Sequence, residues 1–134
     1  MLRRGIEADL LPYCLANRIG VIVYSPMAAG ILSGAMTRER AASLPANDWR
    51  SKNPEYQEPK LSRNLALVEE LRKIGSRYGT SPGAVAIAWT LRQPAVTGAI
   101  VGFRSAKQVD GLLAAAALRL APEEIARIDE LTAR

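Results

Sequence analysis

The sequence contains no histidine and only one cysteine among its 134 residues. The absence of histidine removes the commonest metal ligand and the commonest general base, so we predict no metal site. The single cysteine, Cys14, cannot form a disulfide within the chain, which is typical of a reducing compartment. We therefore expect a cytoplasmic protein.

Long hydrophobic runs are also missing. No apolar stretch approaches the ~18 residues that a membrane-spanning helix requires. The opening residues, MLRRGIEADL, carry two arginines, but acidic residues follow where a signal peptide would be apolar. We therefore expect no membrane partner.

Aromatic residues are scarce, with one Phe, two Trp and four Tyr. The net charge is +5, but the 18 basic residues are dispersed among 13 acidic ones. Nucleic-acid-binding surfaces concentrate basic residues and use aromatic rings to stack on bases. The composition therefore predicts a solvated surface with an arginine bias and no nucleic-acid partner.

Two short, β-branched apolar runs predict strands, and helical patterns lie around them. The run IGVIVYS is of the kind that parallel sheets bury on both faces. The predicted elements, in order, are a helix at 7–17, a strand at 19–25, an irregular loop at 35–60, helices at 61–78 and 81–93, a strand at 96–102, and helices at 105–118 and 121–134. Strands separated by helices imply a parallel sheet in an α/β protein.

Two strands cannot cover both faces or both edges of such a sheet. We therefore expect the chain to be part of a larger fold and to self-associate through its exposed strand edges.

Two helix starts carry capping signals. Ser81 can accept a hydrogen bond from the first turn of a helix, with Pro82 at the first helical position. The segment SAKQ predicts a capping box, in which the Ser105 hydroxyl accepts from the Gln108 amide while the Gln108 side chain reaches back.

Both predicted strands end in loops that contain glycine, YSPMAAG and GFRSAKQ. Ligands bind outside the carboxyl ends of parallel strands, and a helix that follows such a loop favours an anion at its N-terminus. Arg104 lies at such a helix entrance and could pair with a phosphate, while Gly102 would let the backbone approach closely. Each residue also has a plainer interpretation: Gly102 and Gly30 would permit tight turns, Ser105 and Gln108 would cap a helix, and Arg104 would be a surface charge.

Three segments together resemble the C-terminal part of an aldo-keto reductase: GVIVYSPMAAGILSG, NLALVEELRKIGSRYGTSPGAVAIAWTLRQPAV and AIVGFRSAKQVDGLLAAAALRLAPEEIARID. The resemblance covers nearly the whole chain. It implies that residues 1–134 form one partial domain, the C-terminal portion of a (β/α)8 TIM barrel with its last two strands and a long loop at 35–60. It also implies NADPH-dependent reduction of aldehydes and ketones, with a small-molecule carbonyl as substrate.

The resemblance assigns residues to the bound NADP(H), and no catalytic residue to this chain. They are Tyr24, stacked on the nicotinamide; Ser25, Pro26, Met27, Ala28 and Gly30, around the pyrophosphate; Arg50, folded over the pyrophosphate; Gly102, Arg104 and Ser105, at the 2′-phosphate; and Gln108, near the adenine.

The sequence departs from the family pattern in two ways. Gly111 and Leu112 stand where the family often has an acid and an asparagine against the adenine. The family's catalytic Asp, Tyr, Lys and His lie on earlier strands, and this chain begins after them. We therefore expect a fragment or truncated reading frame that is not active alone. The alternative is a non-catalytic cofactor-binding or subunit-interaction module.

Overall fold

A computed structural model describes residues 1–133, and Arg134, the end of the predicted last helix, lies outside the described residues. The helices are α1 (Leu10–Ala16), α2 (Arg38–Ala42), α3 (Lys60–Arg77), α4 (Pro82–Leu91), α5 (Ala106–Ala117) and α6 (Pro122–Thr132); the strands are β1 (Val21–Tyr24) and β2 (Val96–Ile100). Short 3₁₀ turns lie at Gly5–Glu7, Ala28–Ser33, Trp49–Lys52 and Pro54–Tyr56. Within residues 1–133, no helix combines the length and the apolar character needed to cross a membrane.

The strands β1 and β2 pair in parallel, as the sequence predicts. Tyr24 lies opposite Ile100 in the register, so both strands end at the same edge of the sheet. The expectation that β1 is buried on both faces is wrong for this chain by itself. Ile22, Tyr24 and Ile100 are 66%, 77% and 62% exposed, because the helices of the described residues cover only the opposite face.

The main core lies between α3, α4 and α6. Helix α3 turns its apolar stripe inward, with Val68 and Leu71 buried, as its 3.6-residue period predicts. Helix α4 is buried over most of its circumference because α3, α5 and β2 all pack against it. Gly83 and the three alanines Ala84, Ala86 and Ala88 allow this close packing.

The capping predictions had opposite outcomes. The Ser81 hydroxyl accepts from the Ala84 amide at 3.1 Å, which confirms the cap of α4. The capping box at α5 is wrong, since the Ser105 side chain forms no capping hydrogen bond. The Gln108 amide instead donates to the Ser105 backbone carbonyl at 3.1 Å, and the Gln108 side chain reaches one residue further back, to the Arg104 amide.

The long segment at 35–60 contains no long element, as its prolines predict. It holds only α2 and two 3₁₀ turns, and it folds back against α3. Tyr56 enters the core there with 4% of its surface exposed. One end of this segment is thereby fixed next to the loop that follows β1.

Candidate functional site

A cavity of about 640 Å³ lies beside the loops that follow β1 and β2. Its volume is in the range of small-molecule and cofactor sites. Four parts of the chain form its walls: the loop after β1, the segment at 35–60, the start of α4, and the loop after β2 with the first turns of α5. The parallel pairing of the strands brings the two loops together at one edge of the sheet.

Eight of the eleven residues predicted from the sequence line this cavity. They are Ser25, Pro26, Met27, Gly30, Arg50, Gly102, Arg104 and Gln108. The other three, Tyr24, Ala28 and Ser105, do not. Tyr24 and Ala28 border a second cavity of about 630 Å³ on the exposed face of the sheet, together with Trp49 and Trp89.

The loop after β1 has an unusual backbone conformation. Ser25, Ala28 and Ala29 have φ of 51°, 50° and 57°, in the left-handed region that non-glycine residues rarely adopt, and Gly30 follows at 98°. Ser25, Pro26 and Ala29 border both cavities, so this loop forms the wall between them.

The start of α4 approaches this loop closely because Gly83 has no side chain. A Cβ at Gly83 would lie 2.8 Å from the Met27 sulfur and 3.6 Å from Leu112 on α5. Met27 therefore packs directly against the backbone of α4 at the base of the cavity. An alanine at position 83 would require the Met27 side chain to shift away from α4.

A side-chain hydrogen bond from α5 holds the loop after β2. The Gln108 side-chain oxygen accepts from the Arg104 amide at 2.7 Å. The Arg104 guanidinium is exposed at the cavity, next to Phe103, which is also exposed. A Cβ at Gly102 would meet no atom within 4 Å, so this backbone faces open space.

The cavity has a strongly one-sided charge distribution. Arg40, Arg50 and Arg104 line it, and no Asp or Glu of residues 1–133 does. Arg40 and Arg104 take part in none of the ion pairs formed within that range. Such a concentration of guanidinium groups around a concave surface favours an anionic ligand.

Within residues 1–133, Arg50 is the one cavity arginine with a carboxylate partner. Its Nε donates to both carboxylate oxygens of Asp48, at 3.0 and 3.1 Å. These hydrogen bonds, with a smaller contribution from the charge of Arg104, lower the pKa of Asp48 to about 2. The positive charge of Arg50 is thus partly neutralised, whereas the charges of Arg40 and Arg104 remain available to a ligand.

Several cavity residues could not be selected from the sequence. Arg40 on α2 reaches the cavity while its guanidinium donates to the Ala35 carbonyl at 3.1 Å, and nothing in its local pattern TRER distinguishes it from a surface arginine. Phe103 lies inside the motif GFRSAKQ and lines the cavity. Its position after a predicted strand could have marked it as a site residue. Gly111 and Leu112, which stand where the family often has an acid and an asparagine, also line the cavity and add apolar surface to its α5 wall.

The lining offers guanidinium groups, hydroxyls and backbone amides, which suit the recognition of a phosphate or carboxylate. Among residues 1–133, no three Cys, Asp or Glu side chains lie close enough together to hold a metal ion. The chemistry that the cavity supports is therefore anion binding beside apolar surface.

Comparison with known proteins agrees with this geometry. The model of the aldo/keto reductase family matches residues 1–133. Aldo-keto reductase YhdN of Bacillus subtilis (strain 168) is 33% identical over 113 residues, which are 84% of this chain and 34% of that protein. Aldo-keto reductase yakc (NADP(+)) of Schizosaccharomyces pombe is 29% identical over 124 residues, 92% of this chain and 36% of that protein.

A solved structure matches the fold as well. The glycerol dehydrogenase AKR11B4 from Gluconobacter oxydans superposes with a TM-score of 0.87 at 34% identity, over 98% of this chain and 39% of that one. The chain thus spans between 34% and 39% of the length of these relatives. The match of the family model over nearly every residue, together with these relatives, shows that the chain belongs to the aldo/keto reductase family.

Proposed function

We propose that this chain supplies the cofactor-binding C-terminal part of an NADPH-dependent aldo-keto reductase that reduces small aldehydes and ketones. The observation that carries the proposal is the cavity at the carboxyl ends of two parallel strands, lined by three arginines and by no acidic residue of the described chain. A dinucleotide with a 2′-phosphate is a highly anionic ligand of suitable shape. The relative from Schizosaccharomyces pombe carries NADP(+) in its name.

The described residues fit such a cofactor. Arg104 at the entrance to α5 would pair with the 2′-phosphate, and the loop from Ser25 to Gly30 with Arg50 would hold the pyrophosphate. Tyr24 borders the second cavity, across the loop that forms the wall between the two. An extended cofactor that crosses this loop would reach both groups of residues.

In the reaction, the nicotinamide would supply hydride to the carbonyl carbon, and an acid would supply a proton to the carbonyl oxygen. The residues of this chain would bind and orient the cofactor. Proton transfer would fall to residues outside it, since the resemblance places the catalytic tetrad on earlier strands. We therefore propose that the 134-residue chain does not reduce carbonyls alone.

We further propose that residues 1–134 are one partial domain and that β1 and β2 are the last two strands of a (β/α)8 barrel. The exposed apolar face of the sheet supports this assignment, because Ile22, Tyr24 and Ile100 would be covered by further strands. A cytoplasmic location remains a prediction.

The same exposed face favours a second candidate, a non-catalytic module that binds cofactor or another subunit.

An assay of the purified chain with NADPH and a nitrobenzaldehyde, followed by nicotinamide absorbance, tests the first proposal. We expect no turnover by the chain alone. Nicotinamide binding that stays without turnover once the missing strands are supplied would favour the second candidate. Turnover above the rate without protein, abolished by a substitution within this chain, would contradict the assignment of catalysis to residues outside it.

A further inference from the structure

The loop after β1 needs support from outside itself. Four of its six residues, Ser25, Ala28, Ala29 and Gly30, have positive φ, and only glycine adopts that region readily. The conformation is therefore unfavourable for three of them. Backbone hydrogen bonds within the loop, from Ala28 to the Ser25 carbonyl at 2.9 Å and from Gly30 to the Met27 carbonyl at 3.1 Å, offset part of this cost. Contacts from elsewhere in the fold further hold the loop in the shape that lines the cavity.

The hydroxyl of Tyr56 supplies such a contact. It donates to the Ala29 carbonyl at 2.9 Å and lies 3.3 Å from the Ala28 carbonyl, at the two alanines with left-handed backbone. The ring is buried beside Ile31 and Leu32, and a phenylalanine would fill the same space. Burial raises the pKa of Tyr56, so the hydroxyl stays protonated and able to donate.

Tyr56 is itself fixed by polar contacts around Glu55. The buried Asn64 of α3 donates to the backbone carbonyl and to a side-chain oxygen of Glu55, both at 3.0 Å. The Asn53 side chain accepts from the Glu55 amide at 3.0 Å. The same segment carries Arg50 into the cavity. Tyr56 therefore joins the two walls of the cavity through a residue that is anchored to α3.

We propose that Tyr56 is a positioning residue, whose hydroxyl holds the loop from Ser25 to Gly30 in its cofactor-binding conformation. This inference rests on the proposed function, because it assigns the loop to the phosphates of NADP(H). The ring of Tyr56 packs in the core, whereas its hydroxyl positions the loop that lines the cavity.

The test compares Tyr56→Phe with Tyr78→Phe in the full chain. The Tyr78 hydroxyl also bonds a protein group, Glu124 at 2.7 Å, but it lies outside the cavity and is a matched control. Two quantities are measured: hydrogen–deuterium exchange of the amides at 27–32 without ligand, and the dissociation constant for NADPH. We expect Tyr56→Phe alone to speed exchange in this loop and to weaken NADPH binding about three- to tenfold, as the loss of one hydrogen bond predicts.

A third variant separates positioning from general stability. Adding Ala29→Gly to Tyr56→Phe makes positive φ easy at position 29 and should restore part of the affinity. Unchanged exchange at 27–32 in Tyr56→Phe, or faster exchange with unchanged NADPH affinity, would overturn the role of Tyr56. The two proposals can fail separately. If Tyr56→Phe speeds exchange but the unsubstituted chain does not bind NADPH, the result supports the positioning of the loop by Tyr56 and refutes the proposed function.

Discussion

Arg104→Ala gives the sharpest test of how the cavity recognises its ligand. The guanidinium lies at the entrance to α5, has no carboxylate partner within residues 1–133, and faces the cavity. An exposed ion pair contributes about 0.2–1 kcal/mol, whereas a charge-assisted hydrogen bond contributes about 1.5–3 kcal/mol. The cavity is open to solvent, so the lower end of the second range applies. A loss of about 1.5 kcal/mol corresponds to about tenfold weaker binding of NADPH.

The assay is a fluorescence titration with NADPH and with NADH, since the two differ only in the 2′-phosphate. Arg104→Ala should weaken NADPH binding about tenfold and leave NADH binding nearly unchanged. Arg119→Ala removes an equal charge just beyond the C-terminal end of α5, where the guanidinium donates to the carbonyls of Ala116 and Leu118, and it should change neither affinity. Equal losses for both cofactors in Arg104→Ala would refute the assignment of this residue to the 2′-phosphate.

Three further predictions concern the sheet and the segment at 35–60. Tyr24→Ala should weaken NADPH binding by about 1–1.5 kcal/mol in a complete barrel that contains this segment, the scale of an aromatic contact, and an unchanged affinity in fluorescence titration would remove the stacking role. Asp48 should titrate near pH 2 by NMR, so its ion pair with Arg50 is present above the ordinary pKa of 3.8 and is lost as the pH falls toward 2. Arg50→Ala should raise the pKa of Asp48, and an unchanged pKa would contradict the pairing. The isolated chain should associate through its open sheet, and Ile22→Lys with Ile100→Lys should reduce the mass measured by light scattering, whereas a monomeric parent chain would contradict the exposed-face argument.

The part of the site built from strand ends could be predicted because local signals determine it. β-branched runs gave the strands, the helical patterns between them implied parallel pairing, and parallel pairing places both carboxyl ends at one edge. Ser25 to Met27 and Gly102 to Arg104 meet at the cavity for this reason. The start of α4 followed an equally local signal, Ser81 as the cap with Pro82 at the first helical position.

The contributions of the segment at 35–60 could not be predicted, because they depend on tertiary packing. Arg40 lies at the cavity because its segment folds back onto α3, through contacts such as Asn64 with the Glu55 carbonyl and Arg38 with the Ser62 hydroxyl, and no periodic pattern records such contacts. The predicted Ser105 cap is wrong for a related reason. The Gln108 amide donates to the Ser105 backbone carbonyl and not to the Ser105 hydroxyl. Both cases are choices between competing partners that a sequence pattern does not rank.

Backbone NMR of the labelled chain titrated with NADPH tests the central claim most directly, because it reports both binding and its location. If the chain carries the cofactor-binding part of a reductase, saturable shifts will concentrate in the loop at 25–30 and in the loop and first turns of α5 at 102–112, with smaller changes around Arg50. Shifts that do not saturate, or that concentrate on other surfaces such as α6, would contradict the assignment of the cavity to NADP(H).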